Sequence, residues 1–200
     1  MSHDKHAIAQ EAARVICAAQ LTDYAAAKRK ALERLGLPTR TALPDNAAVQ
    51  QAVLEYQRLF GGDEYHEHLR AMRTVAVRVM RLLAEFSPRL AGGAVSGAVT
   101  AAHHVQLHLF ADKAEMLDVF LHERGIRFEQ DERQYRYPDG SVEAIPLTCF
   151  EVDGLGVDAA VFPEGEMKRP PVNITDGQLY KRLTLDAVET LIASIASPTA

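Results

Sequence analysis

One stretch decides how the fold of this chain is interpreted, Gly92-Gly-Ala-Val-Ser-Gly-Ala-Val-Thr-Ala-Ala-His-His-Val-Gln-Leu-His-Leu-Phe110. Its first half consists of small residues around Ser96-Gly97 and predicts a turn that leaves a strand. Its second half alternates polar and apolar residues, which predicts a strand that begins at His104. Because alternate side chains of a strand point to the same side of a sheet, one face should carry three polar groups, those of His104, Gln106 and His108.

Three helical patterns precede this stretch, over residues 4–35, 46–60 and 63–86. In each pattern apolar residues recur near every third or fourth position, which is the period of a helix with one buried face. Asp45-Asn46 and Asp63 are residues that cap helix N-termini. Glycine and proline provide the stop signals, at Gly36, Pro38, Gly61-Gly62 and Ser87-Pro88.

Strands dominate the chain after residue 88. Three further strands are predicted over residues 126–137, 142–152 and 155–162, with turns at Pro138-Asp139-Gly140 and Asp153-Gly154. A helix capped by Asp112 and stopped by Gly125 should bury Met116, Leu117, Phe120 and Leu121, and a last helix is predicted from about Leu185 to Ile195. The sequence therefore predicts an α+β fold, with an N-terminal helical arm over residues 1–88 and a mixed β-sheet flanked by helices over residues 89–200.

Composition and charge limit the classes of function. The formal net charge of −5 argues against broad nucleic-acid binding. No apolar run approaches the ~18 residues of a membrane span, and the N-terminus lacks the apolar segment of a signal peptide, so a cytoplasmic protein is expected. Cys17 and Cys149 lie far apart without zinc-site spacing, which favours reduced thiols in the core.

The quoted stretch, taken with Leu155–Phe162, resembles the core of the nucleotidyltransferase superfamily, particularly its minimal bacterial type. There a Gly-Ser turn binds the triphosphate and precedes a strand bearing Asp-x-Asp, and a later strand supplies a third carboxylate. These carboxylates hold two Mg²⁺ ions. The resemblance implies nucleotide binding at Ser96 and Gly97, and it carries the acidic positions onto His104, Gln106 and Asp158.

Only one of the three implied carboxylates is present, because His104 and Gln106 replace the first two. Imidazole and amide groups are poor ligands for Mg²⁺, which prefers charged oxygen ligands. The resemblance therefore implies a degenerate metal site, with Asp158 as the catalytic residue and principal metal ligand and with His104 and Gln106 as weak ligands. It implies binding of a nucleotide or a phosphorylated small molecule, weak or no nucleotidyl transfer, and Mg²⁺ as the cofactor of an active form.

A second resemblance is to a proteobacterial family of about this length whose members are described as nucleotidyltransferase-like. It is carried by four segments, Asp23–Gly36, Leu43–Asn46, Glu55–Phe60 and Leu107–Phe110. A histidine at position 108 is typical of that family, and no settled activity comes with the likeness.

Two alternatives stay open. His104 and His108 are roughly 13 Å apart on a strand, too far to share one ion, but one of these histidines could bind a transition metal together with Asp158 and a residue from elsewhere in the chain. Solvated or hydrogen-bonded sheet histidines are the favoured alternative. The competing function is a non-catalytic interaction or regulatory module, in which the amphipathic helices between residues 46 and 86 form the surface for a homo-oligomer or another partner.

Overall fold

The structure is a computed structural model that describes residues 3–195. Within that range the chain forms seven α-helices and one five-stranded mixed sheet, in agreement with the predicted α+β class. It folds into two compact units. Within the described residues the first comprises residues 3–68, 97–103 and 173–178, and the second comprises residues 69–96, 104–172 and 179–195. The predicted domain boundary between residues 88 and 89 stays a prediction.

The first unit is built from α1 (His3–Ala19), α2 (Tyr24–Arg34), α3 (Asn46–Phe60) and the beginning of α4 (Gly62–Leu82). The single helical pattern predicted over residues 4–35 is interrupted, because Gln20 adopts a left-handed φ of 51°. Asp23 then starts α2, and its carboxylate accepts hydrogen bonds from the backbone N–H groups of Ala25 and Ala26.

Small residues allow close approach of the helices in the first unit. Ile8, Ala12 and Ile16 of α1 are almost completely buried and belong to one apolar cluster with residues of α2 and α3, Ala27, Ala31, Val49 and Val53. The predicted cap of α3 is confirmed, since the Asp45 carboxylate accepts from the Ala48 N–H group. Gly61 follows the last residue of α3, as predicted.

The second unit contains the sheet, and its strands are β1 (Arg89–Ala91), β2 (Val105–Phe110), β3 (Phe128–Arg136), β4 (Val142–Val152) and β5 (Leu155–Phe162). Their order is β1-β2-β5-β4-β3, with β2 and β5 parallel and the other neighbours antiparallel. The bounds predicted for β4 and β5 are confirmed to the residue. His104 lies immediately before β2 and was predicted to be its first residue.

Three more helices belong to the second unit: α5 (Gly93–Ser96), α6 (Glu115–Glu123) and α7 (Leu185–Ile195). The predicted cap of α6 is wrong, because Ala114 occupies the N-cap position and Asp112 lies too far before the first turn to reach its N–H groups. Met116 is half exposed rather than buried, because Leu117, Phe120 and Leu121 take the centre of the apolar face.

The side chains of β2 show that the two faces of the sheet differ: one face is apolar, and the other carries both polar and apolar side chains. Val105, Leu107 and Leu109 are fully buried on the first face. Gln106, His108 and Phe110 alternate with them and point to the opposite face. This second face carries the residues predicted to form the site.

None of the helices within residues 3–195 has the length and apolar character needed to cross a membrane.

Candidate functional site

Three neighbouring strands bring polar side chains together on the mixed face of the sheet. Asp158 of β5 pairs with Gln106 of the parallel strand β2 and with Cys149 of the antiparallel strand β4. Residues directly opposite one another on paired strands point to the same side of a sheet. The predicted partners Gln106 and Asp158 are therefore neighbours.

The Asp158 carboxylate is the centre of this cluster, and its side chain is only 10% exposed. One oxygen, Oδ1, lies 2.8 Å from Nδ1 of His104, and the other, Oδ2, accepts a hydrogen bond of 2.6 Å from Nη2 of Arg133. Both carboxylate oxygens are thus engaged by side chains of this chain. Arg133 was not among the predicted site residues.

His104 reaches Asp158 because position 156 is a glycine. The imidazole covers Gly156 so closely that an added Cβ atom there would lie 2.5 Å from Cδ2 of His104. The His104 side chain is 52% exposed, so one edge of the ring contacts Asp158 and much of the remainder faces solvent. An ionised carboxylate can only accept, which makes Nδ1 the donor in this pair.

A second glycine contacts Gln106. Gly92 has a φ of +69°, and an added Cβ atom would lie 2.2 Å from Oε1 of Gln106. A residue without a side chain therefore lets the backbone after β1 approach the polar face. The predicted turn and the predicted strand meet at this point.

The predicted nucleotide-binding pair, Ser96 and Gly97, is divided between the two units. Ser96 ends α5 in the second unit, where its hydroxyl donates to the carbonyl oxygen of Gly93 at 3.3 Å. Gly97 belongs to the first unit, and its carbonyl oxygen accepts from the Tyr65 hydroxyl at 2.9 Å. Their role in binding a nucleotide stays a prediction.

The donor set at Asp158 does not suit Mg²⁺. Of the three positions at which the superfamily has carboxylates, only Asp158 has one, and Arg133 already supplies its positive partner. Among residues 3–195 no group of three or more His, Cys, Asp or Glu side chains is arranged to hold a metal ion. The magnesium cofactor therefore stays a prediction that this geometry does not support.

Cys149 lies beside Asp158 as a free and partly buried thiol. Burial, followed by the negative charges of Asp158 and Asp131, raises its pKa to about 11. The neutral thiol is therefore the form present near pH 7, and it is neither a nucleophile nor a good metal ligand. Cys17 is likewise a free and partly buried thiol, so the prediction of reduced cysteines agrees with the structure.

His108 is a structural residue in the interior of the second unit. It is 1% exposed, and its Nδ1 accepts a hydrogen bond of 3.0 Å from Nε of Arg182. Its ring packs among three aromatic rings at centroid distances of 4.7 to 5.5 Å, those of Tyr135, Phe162 and Tyr180. Burial, followed by the charges of Arg182 and Arg133, lowers the pKa of His108 well below its ordinary value. The solvated state offered for this histidine is wrong, and the hydrogen-bonded one is confirmed.

The interpretation of this site rests on the contacts described above, because comparison with known proteins adds no relative. No protein-family model, curated protein or solved structure matches the chain.

The cluster around Asp158 can recognise an anion through Arg133. A guanidinium group carries five N–H donors, more than its partners Asp158 and Tyr135 use. The Arg133 side chain is 33% exposed, so a ligand can reach it from solvent. Arginine binds phosphate oxygens in a planar, two-point geometry, and partial burial strengthens that interaction.

Proposed function

We propose that the chain is a cytoplasmic nucleotidyltransferase-like protein that binds a nucleotide or another phosphorylated small molecule and does not perform two-metal nucleotidyl transfer. The binding surface is the mixed face of the sheet in the second unit, around Arg133, His104 and Gln106. The observation that carries the proposal is the ion pair between Arg133 and Asp158, at a position where the superfamily holds a metal ion.

The proposal rests on how negative charge is balanced at this face. In a two-metal enzyme, Mg²⁺ ions lie between the protein carboxylates and the phosphates. Here the guanidinium of Arg133 is already paired with the single remaining carboxylate and still has donors for phosphate oxygens. The phosphates would therefore bind to the protein directly, without a bridging metal.

The arrangement of the elements also supports the proposal. The turn after β1 brings Gly92 against Gln106, and Gln106 pairs with Asp158 on the neighbouring parallel strand. This is the order of turn, first strand and later strand that the resemblance implies. The structure differs from that pattern in the side chains, because a histidine and an amide stand where carboxylates are implied.

Titration with ATP in the presence of EDTA or of Mg²⁺ tests this function by calorimetry. We expect similar affinities in both, and we expect Asp158→Asn to raise the affinity several-fold because it removes a negative charge beside the phosphates. A metal ligand would behave in the opposite way, since its loss would abolish binding.

Asp139→Asn is the matched control, because Asp139 also pairs with an arginine of the second unit, Arg169, at an exposed position. It should leave the affinity for ATP unchanged. Strict dependence on Mg²⁺ together with loss of binding in Asp158→Asn would contradict the proposal, and so would the absence of binding at millimolar ATP.

A second candidate function is self-association through the first unit. Leu59 and Phe60 at the end of α3 are 56% and 68% exposed, and they line a groove of about 420 Å³ together with residues of α1. Arg14 and Glu55 also line this groove. These two residues carry opposite charges, so in a twofold dimer Arg14 of one copy would lie near Glu55 of the other copy.

Sedimentation of the full chain tests this second candidate. If the groove joins two copies, the wild type is a dimer and Leu59→Ser shifts it to a monomer, because a polar side chain replaces an apolar contact at the interface. Ile174→Ser is the control, since Ile174 is also highly exposed in the first unit but lies away from the groove. A monomeric wild type at millimolar concentration would reject self-association.

A further inference from the structure

The first unit contains a separate cleft of about 350 Å³, which we call the Gln57 cleft. It is formed by the end of α1, the last turns of α3, the first turns of α4 and residues 99–101. The side chains that matter for its chemistry are Gln57, Glu64, His68, Tyr56, Phe60 and Cys17. Its volume lies within the range of clefts that bind small molecules.

One residue that lines this cleft carries a buried acceptor without a partner among the described residues. Gln57 is 5% exposed, and its Nε2 donates to the carbonyl oxygen of Val99. That bond fixes the orientation of the amide, so the other end, Oε1, is an acceptor, and it has no hydrogen-bond partner among the described residues. Leaving a buried acceptor unpaired destabilises the folded chain, so a donor placed at this position would be bound favourably.

His68 provides a second polar atom of the same kind. Its Nε2 is buried and lacks a hydrogen-bond partner within the described part of the chain. The residues that carry these two atoms both line the cleft, and they come from different helices, α3 and α4. A polar ligand is therefore favoured over a purely apolar one.

The charges around the cleft select against an anion. Glu64 is the only Asp, Glu, Lys or Arg residue among the described residues that line it. Cys17 contributes no charge near pH 7, because burial raises its pKa to about 11. The lining thus offers a carboxylate and an amide oxygen as acceptors, without a positive group that could bind a phosphate or a carboxylate.

The walls of the cleft favour a flat apolar body. Tyr56 and Phe60 both line it, and their ring centroids lie 4.9 Å apart. Aromatic rings of this kind bind planar groups by stacking or edge contacts, and their faces attract positive charge.

We propose that the Gln57 cleft binds a small planar aromatic or heteroaromatic amine or amidine. One N–H group of the ligand donates to Oε1 of Gln57, a second donates to the Glu64 carboxylate, and the ring packs against Tyr56 and Phe60. This site lies in the other unit from the phosphate-binding surface and takes a ligand of different charge, so neither proposal depends on the other.

Three probes test the site by calorimetry and by chemical-shift mapping on the full chain. They are benzamidine, a planar cation with N–H donors; 2-aminopyrimidine, a neutral aromatic amine; and benzoate, which matches benzamidine in shape but carries a negative charge. We expect benzamidine and 2-aminopyrimidine to bind at the residues of the cleft and benzoate not to bind.

Two variants assign the contacts. Gln57→Met removes the orphaned acceptor at similar volume and should weaken both binding probes about tenfold, the loss of one hydrogen bond to a buried partner. Glu64→Gln is an exposed change that should weaken benzamidine more than 2-aminopyrimidine. Glu67→Gln, on α4 like Glu64 but outside the cleft, is the matched control and should change neither affinity.

Equal binding of benzoate and benzamidine would overturn the proposal, as would binding of none of the probes at millimolar concentration, which would leave water as the occupant. Unchanged affinities in both Gln57→Met and Glu64→Gln would overturn it too. If thermal unfolding shows that Gln57→Met does not fold, the response of benzamidine to Glu64→Gln decides the question.

Discussion

Replacement of Arg133 by alanine is expected to lower the affinity for ATP by a factor of roughly ten to a hundred. The guanidinium is the positive group next to Asp158, and a charge-assisted hydrogen bond to a phosphate contributes about 1.5–3 kcal/mol. Without Arg133, the phosphates would also meet a carboxylate whose charge is no longer balanced. Calorimetric titration in EDTA measures the change directly.

Arg136→Ala is the matched control for this variant. Arg136 lies on the same strand, β3, three residues further along, so its side chain points to the opposite face. Equal losses of affinity in the two variants would mean that ATP responds only to overall charge, and the proposed binding surface would be wrong. Thermal unfolding of each variant separates loss of binding from loss of the fold.

Gly156→Ala complements Arg133→Ala, because it tests His104 without changing it. The added methyl group would occupy the space of the imidazole and displace it from Asp158. If His104 helps to bind the phosphates, the affinity falls while Arg133 and Asp158 remain paired. An unchanged affinity would limit the binding surface to Arg133 and Gln106.

Arg182→Ala is expected to lower the free energy of unfolding by about 3 kcal/mol, because it removes several contacts that converge on one partly buried guanidinium. Nε of Arg182 donates to His108, and Nη1 donates to the carbonyl oxygens of Glu166 and Met167. Its Cζ atom also lies 4.7 Å from the centroid of the Phe162 ring. The truncation would leave the buried imidazole of His108 without its donor, and chemical denaturation measures the loss.

Arg127→Ala is the control for this stability prediction, since Arg127 is an exposed arginine of the same unit. Its effect should stay within about 0.5 kcal/mol. A similarly small effect for Arg182→Ala would show that the backbone at Glu166 and Met167 is not held to the sheet by this side chain.

Much of the secondary structure could be predicted from local signals. The bounds of β4 and β5 were predicted because Pro138-Asp139-Gly140 and Asp153-Gly154 are strong turn signals on either side of alternating residues. The cap of α3 at Asp45 was predicted because aspartate and asparagine are preferred at helix N-termini. Weaker signals failed at two helix starts. Asp23 caps α2 but was not predicted to, because it lies inside an alanine-rich run, and Asp112 was predicted to cap α6, which begins two residues too late for it.

The candidate site could be predicted only in part. Alternation along β2 was enough to place Gln106 on the polar side of that strand, and the resemblance to the nucleotidyltransferase superfamily implied Asp158 on the later strand. The partner Arg133 could not be found in this way, because its position depends on how β3 registers with β4 and β4 with β5. Both faces of β3 carry charged residues, so the sequence alone offers no reason to prefer Arg133 to Arg136.

Local sequence patterns were enough to predict the α+β class and the bounds of several strands and helices, and they show His104 and Gln106 at two positions where the resemblance implies carboxylates. Those properties depend on residues that are close in the chain. The folded chain was needed to show that Arg133 and His104 contact Asp158, that His108 is buried against Arg182, and that Oε1 of Gln57 has no partner among the described residues. Strand register and helix packing set these contacts, because they join side chains that lie tens of residues apart and whose charges and hydrogen bonds balance only in the folded chain.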